Sequence, residues 1–223
     1  MLDERLETIF YYMQTKRFAI YKMTKFVPPI DGIQLEEMQI MYGIYFNSFI
    51  SLIEYIKNEF KQQEIIDICY QLYGSSNNYM YIRELRNSII HRGLNVANAG
   101  VRLAKFNIVV PCAPIKVVNQ SRQRTYTKFV DNLFQLVVLC EQINSYIYQI
   151  CSKLNLLEYK PMTKELHDKR IDEDPFMPQY AKEMSKNCEL DYNEINNNLK
   201  RIHEERIKKY FNTYDLFPTL NEV

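Results

Sequence analysis

The chain has 223 residues, 47% of them hydrophobic, with only five glycines and eight prolines, so it can bury a full core and is expected to do so with long helices. Its formal net charge is +1, and with no run of about 18 apolar residues and no basic-then-apolar leader we expect a cytoplasmic protein with no membrane partner. The cysteines, Cys69, Cys112, Cys140, Cys151 and Cys188, are odd in number and form no C-x-x-C pair, which points to free core thiols in a reducing compartment and away from a zinc site or other metal cofactor.

Residues 3–26 carry Leu6, Ile9, Phe10, Met13, Phe18, Ile20 and Tyr21 at helical spacing, and Pro28-Pro29 with Asp31-Gly32 stop the pattern. A second helix is expected over 34–61, turning Leu35, Met38, Met41, Tyr42, Tyr45, Phe49, Leu52, Ile53 and Ile56 toward a core. A third, shorter helix over 62–73 ends at the loop signal of residues 74–78.

The next stretch, residues 79–93, holds no Gly or Pro before Gly93, which stands where a helix C-cap would. Ile82, Leu85 and Ile89 share one face, while Arg83, Asn87 and His91 follow each other at four-residue spacing on the other side. Arg86 falls at the edge of the apolar stripe, so its guanidinium is expected to be partly desolvated and to need a carboxylate, a carbonyl or a bound phosphate. Arg86 and His91 lie about 140° apart around an ideal helix axis and cannot sit side by side within it. A second copy of the helix, or a distortion at its end, is needed to bring them together.

After Gly93 the period changes. Residues 106–110 and 115–118 are two short β-branched pieces separated by Pro111-Cys112-Ala113-Pro114, a small hairpin or an extended flap. The helical period returns over 124–157 with the longest apolar stripe of the chain, a central scaffold or a dimer seam. Lys160-Pro161 breaks it, and a polar region leads into a charged helix over 192–210. The expected organisation is a helical bundle over residues 1–158 and a C-terminal helical extension over 159–223. His167 and His203 take no role in it.

Charge is unevenly divided. Residues 1–84 and 158–223 each carry a net −3, whereas residues 85–157 hold 9 basic and 2 acidic side chains, a net +7. No acidic residue occurs between Glu84 and Asp131. A wholly basic stretch is the footprint expected beside a phosphate backbone, and Arg83, Arg92, Arg102, Lys105, Arg122 and Arg124 are the expected RNA-binding residues. The plain alternative is a solvated basic face paired with the acidic ends of the chain.

Arg86, Asn87 and His91 match, residue for residue, the motif of the HEPN superfamily, an Arg followed by a polar residue and then a His after a four- to six-residue spacer. The segment resembles that family in this one motif and in its helical surroundings over residues 1–158. The resemblance implies an all-α, up-and-down helical bundle, here with a small extended or β-hairpin insertion and the C-terminal extension. It also implies a homodimer whose two Arg–His motifs face each other across a cleft. On that reading the chain is a metal-independent endoribonuclease without cofactor, of the toxin or antiviral defence type, with an antitoxin or other regulatory protein as a partner. His91 would act as general base or acid on the ribose 2′-hydroxyl, Arg86 would stabilise charge on the phosphate, and Asn87 would orient the phosphate or the histidine. A different reading keeps the same residues in a non-catalytic module that binds RNA, nucleotide or a partner. Some HEPN toxins carry a Tyr two residues after the His, where a partner nucleotidyltransferase modifies them, and here that position is Gly93.

Overall fold

The computed structural model describes residues 3–211, and residues 212–223 of the expected extension lie outside them. Helix α1 (Glu4–Met23) starts at Asp3, whose side chain accepts from the Arg5 N–H. Helix α2 (Gly32–Glu59) starts with a capping box between Asp31 and Gln34. Then come α3 (Glu64–Leu72) and α4 (Ser76–Arg92), two small antiparallel hairpins, α5 (Leu133–Glu141), α6 (Asn144–Lys153), α7 (Lys164–Glu173), α8 (Gln179–Lys186) and α9 (Tyr192–Phe211). The chain is mostly helical. No helix among the described residues is long and apolar enough to cross a membrane.

The core is assembled around α2, which packs against α1, α3, α4 and α5. Tyr42, Tyr45, Phe46, Phe49, Ile50, Leu52, Ile53 and Ile56 of α2 are all buried. On α1 the buried stripe runs Leu6, Ile9, Phe10, Met13, Lys16, Ala19, Ile20 and Met23. The stripe therefore contains a lysine, and the expectation that Phe18 and Tyr21 point inward is corrected: they are 49% and 57% exposed. Their rings lie under the Lys22 and Lys25 ammonium groups, at 5.7 and 4.8 Å, where cation–π attraction offsets part of the cost of exposure. Leu35, in the first turn of α2, is also exposed rather than core-facing.

The two β-branched pieces do not pair with each other. Strand β1 (Gly100–Leu103) pairs with β2 (Ile108–Pro111), and β3 (Lys116–Asn119) with β4 (Arg124–Thr127), both antiparallel. The reversals fall at Asn107 and Gln123, which have φ of 52° and 51°, the left-handed conformation a tight turn requires. The Pro111–Pro114 link stays extended instead, because Cys112 N–H donates to Ala99 O and Ala113 N–H to Asp131 O.

The helix expected over 124–157 is likewise corrected. Its first residues form β4, and the remainder divides at Gln142-Ile143 into α5 and α6. The break falls between Glu141 and Asn144, two polar side chains that both turn inward to Lys16. Lys16 Nζ donates to Glu141 Oε1 at 2.8 Å and to Asn144 Oδ1 at 2.9 Å. Asn144 Nδ2 donates to Glu141 Oε2, and the Tyr45 hydroxyl to Glu141 Oε1 at 2.8 Å. Six apolar residues of this stripe, Leu133, Leu136, Val137, Cys140, Ile143 and Ile147, are fully buried in the chain's own core, so these positions serve as scaffold.

The C-terminal helix α9 returns to α1. Arg206 makes two 2.7 Å hydrogen bonds to Glu7 and lies 4.6 Å over the Phe10 ring, and hydrogen bonding to Glu7 raises its pKa. His203 is buried with Nε2 2.8 Å from Leu157 O. The polar region after residue 159 holds two helices, α7 and α8, that its composition did not announce.

Lys16 and Glu141 have 0% and 3% side-chain exposure. Lys16→Met should therefore cost about 3–5 kcal/mol, because Glu141 is left as an uncompensated buried charge. Lys16→Met with Glu141→Met should recover part of that loss. Urea unfolding of the two variants checks this, and equal stabilities would contradict it.

Candidate functional site

Helix α4 carries the Arg–His motif, and its ends are set by local chemistry. Ser75 caps its start by accepting from the Asn78 N–H. Gly93 ends it at φ 64°, ψ 29°, with its own N–H and that of Leu94 both donating to Ser88 O, a left-handed cap of the Schellman type. Ile82, Leu85 and Ile89 are buried, as the periodicity predicts. The approach of α4 to α2 passes over Gly43, where an added Cβ would lie 3.4 Å from Ile89 Cγ2 and 3.6 Å from Ile90 Cδ1.

Arg86 is where the apolar edge predicts, with 14% of its side chain exposed. The carboxylate it needs comes from α2: Arg86 Nη2 is 3.4 Å from Glu54 Oε2, and Arg83 Nη2 is 3.5 Å from Glu54 Oε1. Both contacts are long for charge-assisted bonds, and Glu54 is 37% exposed on its side chain. The Arg86 Nε is buried and has no partner among the described residues. Asn87 is half-buried, one residue along. His91 is exposed in the last turn of α4 and has no hydrogen-bond or ion-pair partner among the described residues. The motif thus places a half-buried, incompletely paired cation and an exposed imidazole on one helix end, without bringing the two together.

Glu54 was not singled out from the sequence, although a signal exists: it is the one charged residue between Gly43 and Ile56 of α2. Glu84 was also missed. Its side chain is 4% exposed and lies 3.6 Å from Arg92 Nη2. It accepts from Asn119 Nδ2 of β3 at 2.8 Å. Arg92 Nη2 further donates to Glu84 O at 3.0 Å and to Ser88 Oγ. Arg92, an expected RNA contact, is therefore folded back onto its own helix, and it is Glu84 that ties α4 to the second hairpin.

The remaining expected RNA-binding residues fall in two other places. Arg122 and Arg124 are exposed at the end of the second hairpin, whose strands pack on α4. Arg102 and Lys105 belong to the first hairpin, where Arg102 donates to Asn107 Oδ1 at 2.7 Å. Three clusters therefore replace the continuous basic stretch of the sequence.

Among the described residues no group of three or more His, Cys, Asp or Glu side chains could hold a metal ion. The cysteines are free. Burial pushes the thiols of Cys69 and Cys151 up to about 12, which suits core packing rather than nucleophilic use, while Cys112 is half-buried and Cys188 exposed. No family model, no curated protein and no solved structure matches the chain.

A Cβ on Gly93 would meet nothing within 4 Å, so the cost of Gly93→Ala is purely that of the left-handed backbone. The variant should lose about 1–2 kcal/mol and fray the turn that carries His91. A lowered Tm with an otherwise native spectrum is the expected result; an unchanged Tm would show that the cap does not hold the helix end.

Proposed function

We propose that the chain is a metal-independent endoribonuclease of HEPN type, an up-and-down helical bundle acting as a toxin or antiviral defence effector. The observation that carries this reading is the state of Arg86: a half-buried guanidinium with an unpartnered Nε, one long contact to a part-exposed Glu54, and an exposed His91 at the capped end of the same helix. A phosphate oxygen satisfies an incompletely paired arginine better than water held at the edge of an apolar face. His91 takes the proton of the ribose 2′-hydroxyl as general base, the 2′-oxygen bonds to the adjacent phosphorus as the P–O5′ bond breaks, and the departing 5′-oxygen is protonated by water or by an imidazolium acting as general acid. Arg86 stabilises the negative charge that develops on the phosphoryl oxygens. Asn87, between them in sequence, orients the phosphate or the histidine.

The angle between Arg86 and His91 calls for a second copy. Ile90 is 43% exposed and adjoins the Gly43 contact between α2 and α4, and Ile40, one turn before Gly43 on α2, is 53% exposed. This apolar patch beside the motif is a suitable seat for a symmetric partner. We therefore take the active species as a homodimer with each cleft completed by both motifs, controlled by an antitoxin or other regulatory protein. A second reading, a non-catalytic RNA-binding module, is favoured by Glu54 alone, since it supplies counter-charge to both Arg83 and Arg86.

Purified protein should cut RNA in excess EDTA and leave 2′,3′-cyclic phosphate and 5′-hydroxyl ends. A 2′-deoxyribose at the scissile position should block the cut. His91→Ala should lower kcat by roughly 10²–10⁴-fold, and Arg86→Ala should also abolish measurable turnover while the fold survives. Full activity in His91→Ala, or cleavage of DNA, contradicts the mechanism; salt-sensitive RNA binding without cleavage selects the second reading.

Light scattering at micromolar concentration should give twice the mass of the chain, and Ile90→Asp should return it to the monomer with loss of cleavage. A monomeric wild-type protein that still cuts RNA would remove the shared cleft.

A further inference from the structure

Outside the motif, the first hairpin and α5 enclose a groove of about 1130 Å³. One wall is the β1–β2 turn, which carries Lys105 and Phe106; the other is α5 with the segment leading into it, which contribute Phe134, Lys128 and Phe129. Phe134 is buried at 3% exposure, while Phe106 and Phe129 are half-buried. Phe129 is held edge-on by Tyr81 of α4, with ring centroids 5.9 Å apart. Phe106 carries the Lys105 ammonium 5.8 Å from its centroid.

Basic side chains outnumber acidic ones in the lining of this groove. Arg102, Lys105 and Lys128 line it with a single carboxylate, Asp131, which is 3.4 Å from Lys128. Aliphatic side chains alone would suit any apolar segment, but two half-buried phenyl rings among basic side chains match a ligand with flat π faces and phosphates. Base stacking on aromatic side chains beside a positively charged track is how sequence-tolerant single-strand sites work.

We propose that this groove is a single-stranded RNA subsite, in which a base stacks on Phe106 and a neighbouring phosphate lies on Arg102. It deepens the ribonuclease reading and rests on it for the identity of the nucleic acid as RNA. Phe106 and its basic neighbours act as positioning residues: they hold the strand and do not touch the reacting atoms.

The test uses the full chain and an unstructured, fluorescently labelled RNA of about 12 nucleotides with 2′-O-methyl groups throughout, which cannot be cut by 2′-hydroxyl attack. Phe106→Ala should weaken binding by roughly five- to a hundredfold, and Phe106→Trp should restore it. Arg102→Gln should reduce the slope of log affinity against log salt by about 1. With cleavable RNA, Phe106→Ala should raise KM and leave kcat unchanged. If the wild type cuts RNA but folded Phe106→Ala binds and cuts as well as it does, the groove proposal falls and the ribonuclease reading stands. If the wild type does not cut, yet binds and loses affinity in Phe106→Ala, the groove stands and the ribonuclease reading falls. Wild-type protein that binds no RNA at low salt overturns the groove, as does recovery of the groove with an apolar, acidic peptide whose binding alone responds to Phe106→Ala.

Discussion

A lysine ammonium with no exposed surface decides how the core helices can be arranged. Removing such an ion from water costs several kcal/mol even after relaxation, so every donor on Lys16 must find a fixed partner. Glu141 and Asn144 supply two, and the Phe49 ring lies 5.8 Å away beneath the third side. Tyr45 completes the carboxylate's acceptor set, and burial holds its hydroxyl proton on by pushing the pKa well above the ordinary tyrosine value. One buried charge thus links α1, α2, α5 and α6 in a single registered arrangement. A purely apolar interface of similar area would have tolerated sliding.

The motif depends on that arrangement at one remove. With α2 fixed against α1 and α5, its opposite surface presents Gly43 and Glu54 to α4. At Gly43 the two helices come close, so that an added Cβ would be in van der Waals contact with Ile89 and Ile90. Glu54 then meets Arg83 and Arg86 a few turns away. On the other flank Glu84 joins Arg92 to Asn119, so the second hairpin is registered against the same helix. The histidine is left at the free end of α4, where the Gly93 cap turns the chain away.

Regular features with strong local causes were legible in the sequence. The end of α4 follows from Gly93 and its buried face from the spacing of Ile82, Leu85 and Ile89, whereas α2 starts two residues before the expected 34, at Gly32, where Asp31 caps it. What escaped was set by tertiary partners. Lys16 reads as a surface residue because its carboxylate lies 125 positions away. The helix break at Gln142-Ile143 has no Gly or Pro to announce it, being located by Glu141 and Asn144 turning to that lysine. Strand β4, Arg-Thr-Tyr-Thr, does alternate, with only Tyr126 buried, but four residues of period two are easily absorbed into the long helical stripe that follows. Within the site, Arg86 was found through its position at the apolar edge, and Glu54 was not, because a lone acid on an apolar helix carries no motif.

The distribution of counter-charge, more than the run of basic residues, determines what a phosphate can reach. Residues 85–130 hold no acid, yet folding brings Glu54 to Arg83 and Arg86, and Glu84 to Arg92. Opposite charges at about 4 Å attract by roughly 4 kcal/mol at the effective dielectric of a protein surface, so a phosphate arriving at Arg86 must compete with Glu54. Arg122 and Arg124 have no acidic partner among the described residues and are exposed at the end of the second hairpin. A polyanion would therefore be captured first on the hairpins, which are small and sit at the edge of the helical core. It would engage α4 only where the geometry of the strand delivers a phosphate close enough to displace Glu54. That separation of capture from engagement follows from where the carboxylates lie, and it would be invisible to any count of basic residues along the chain.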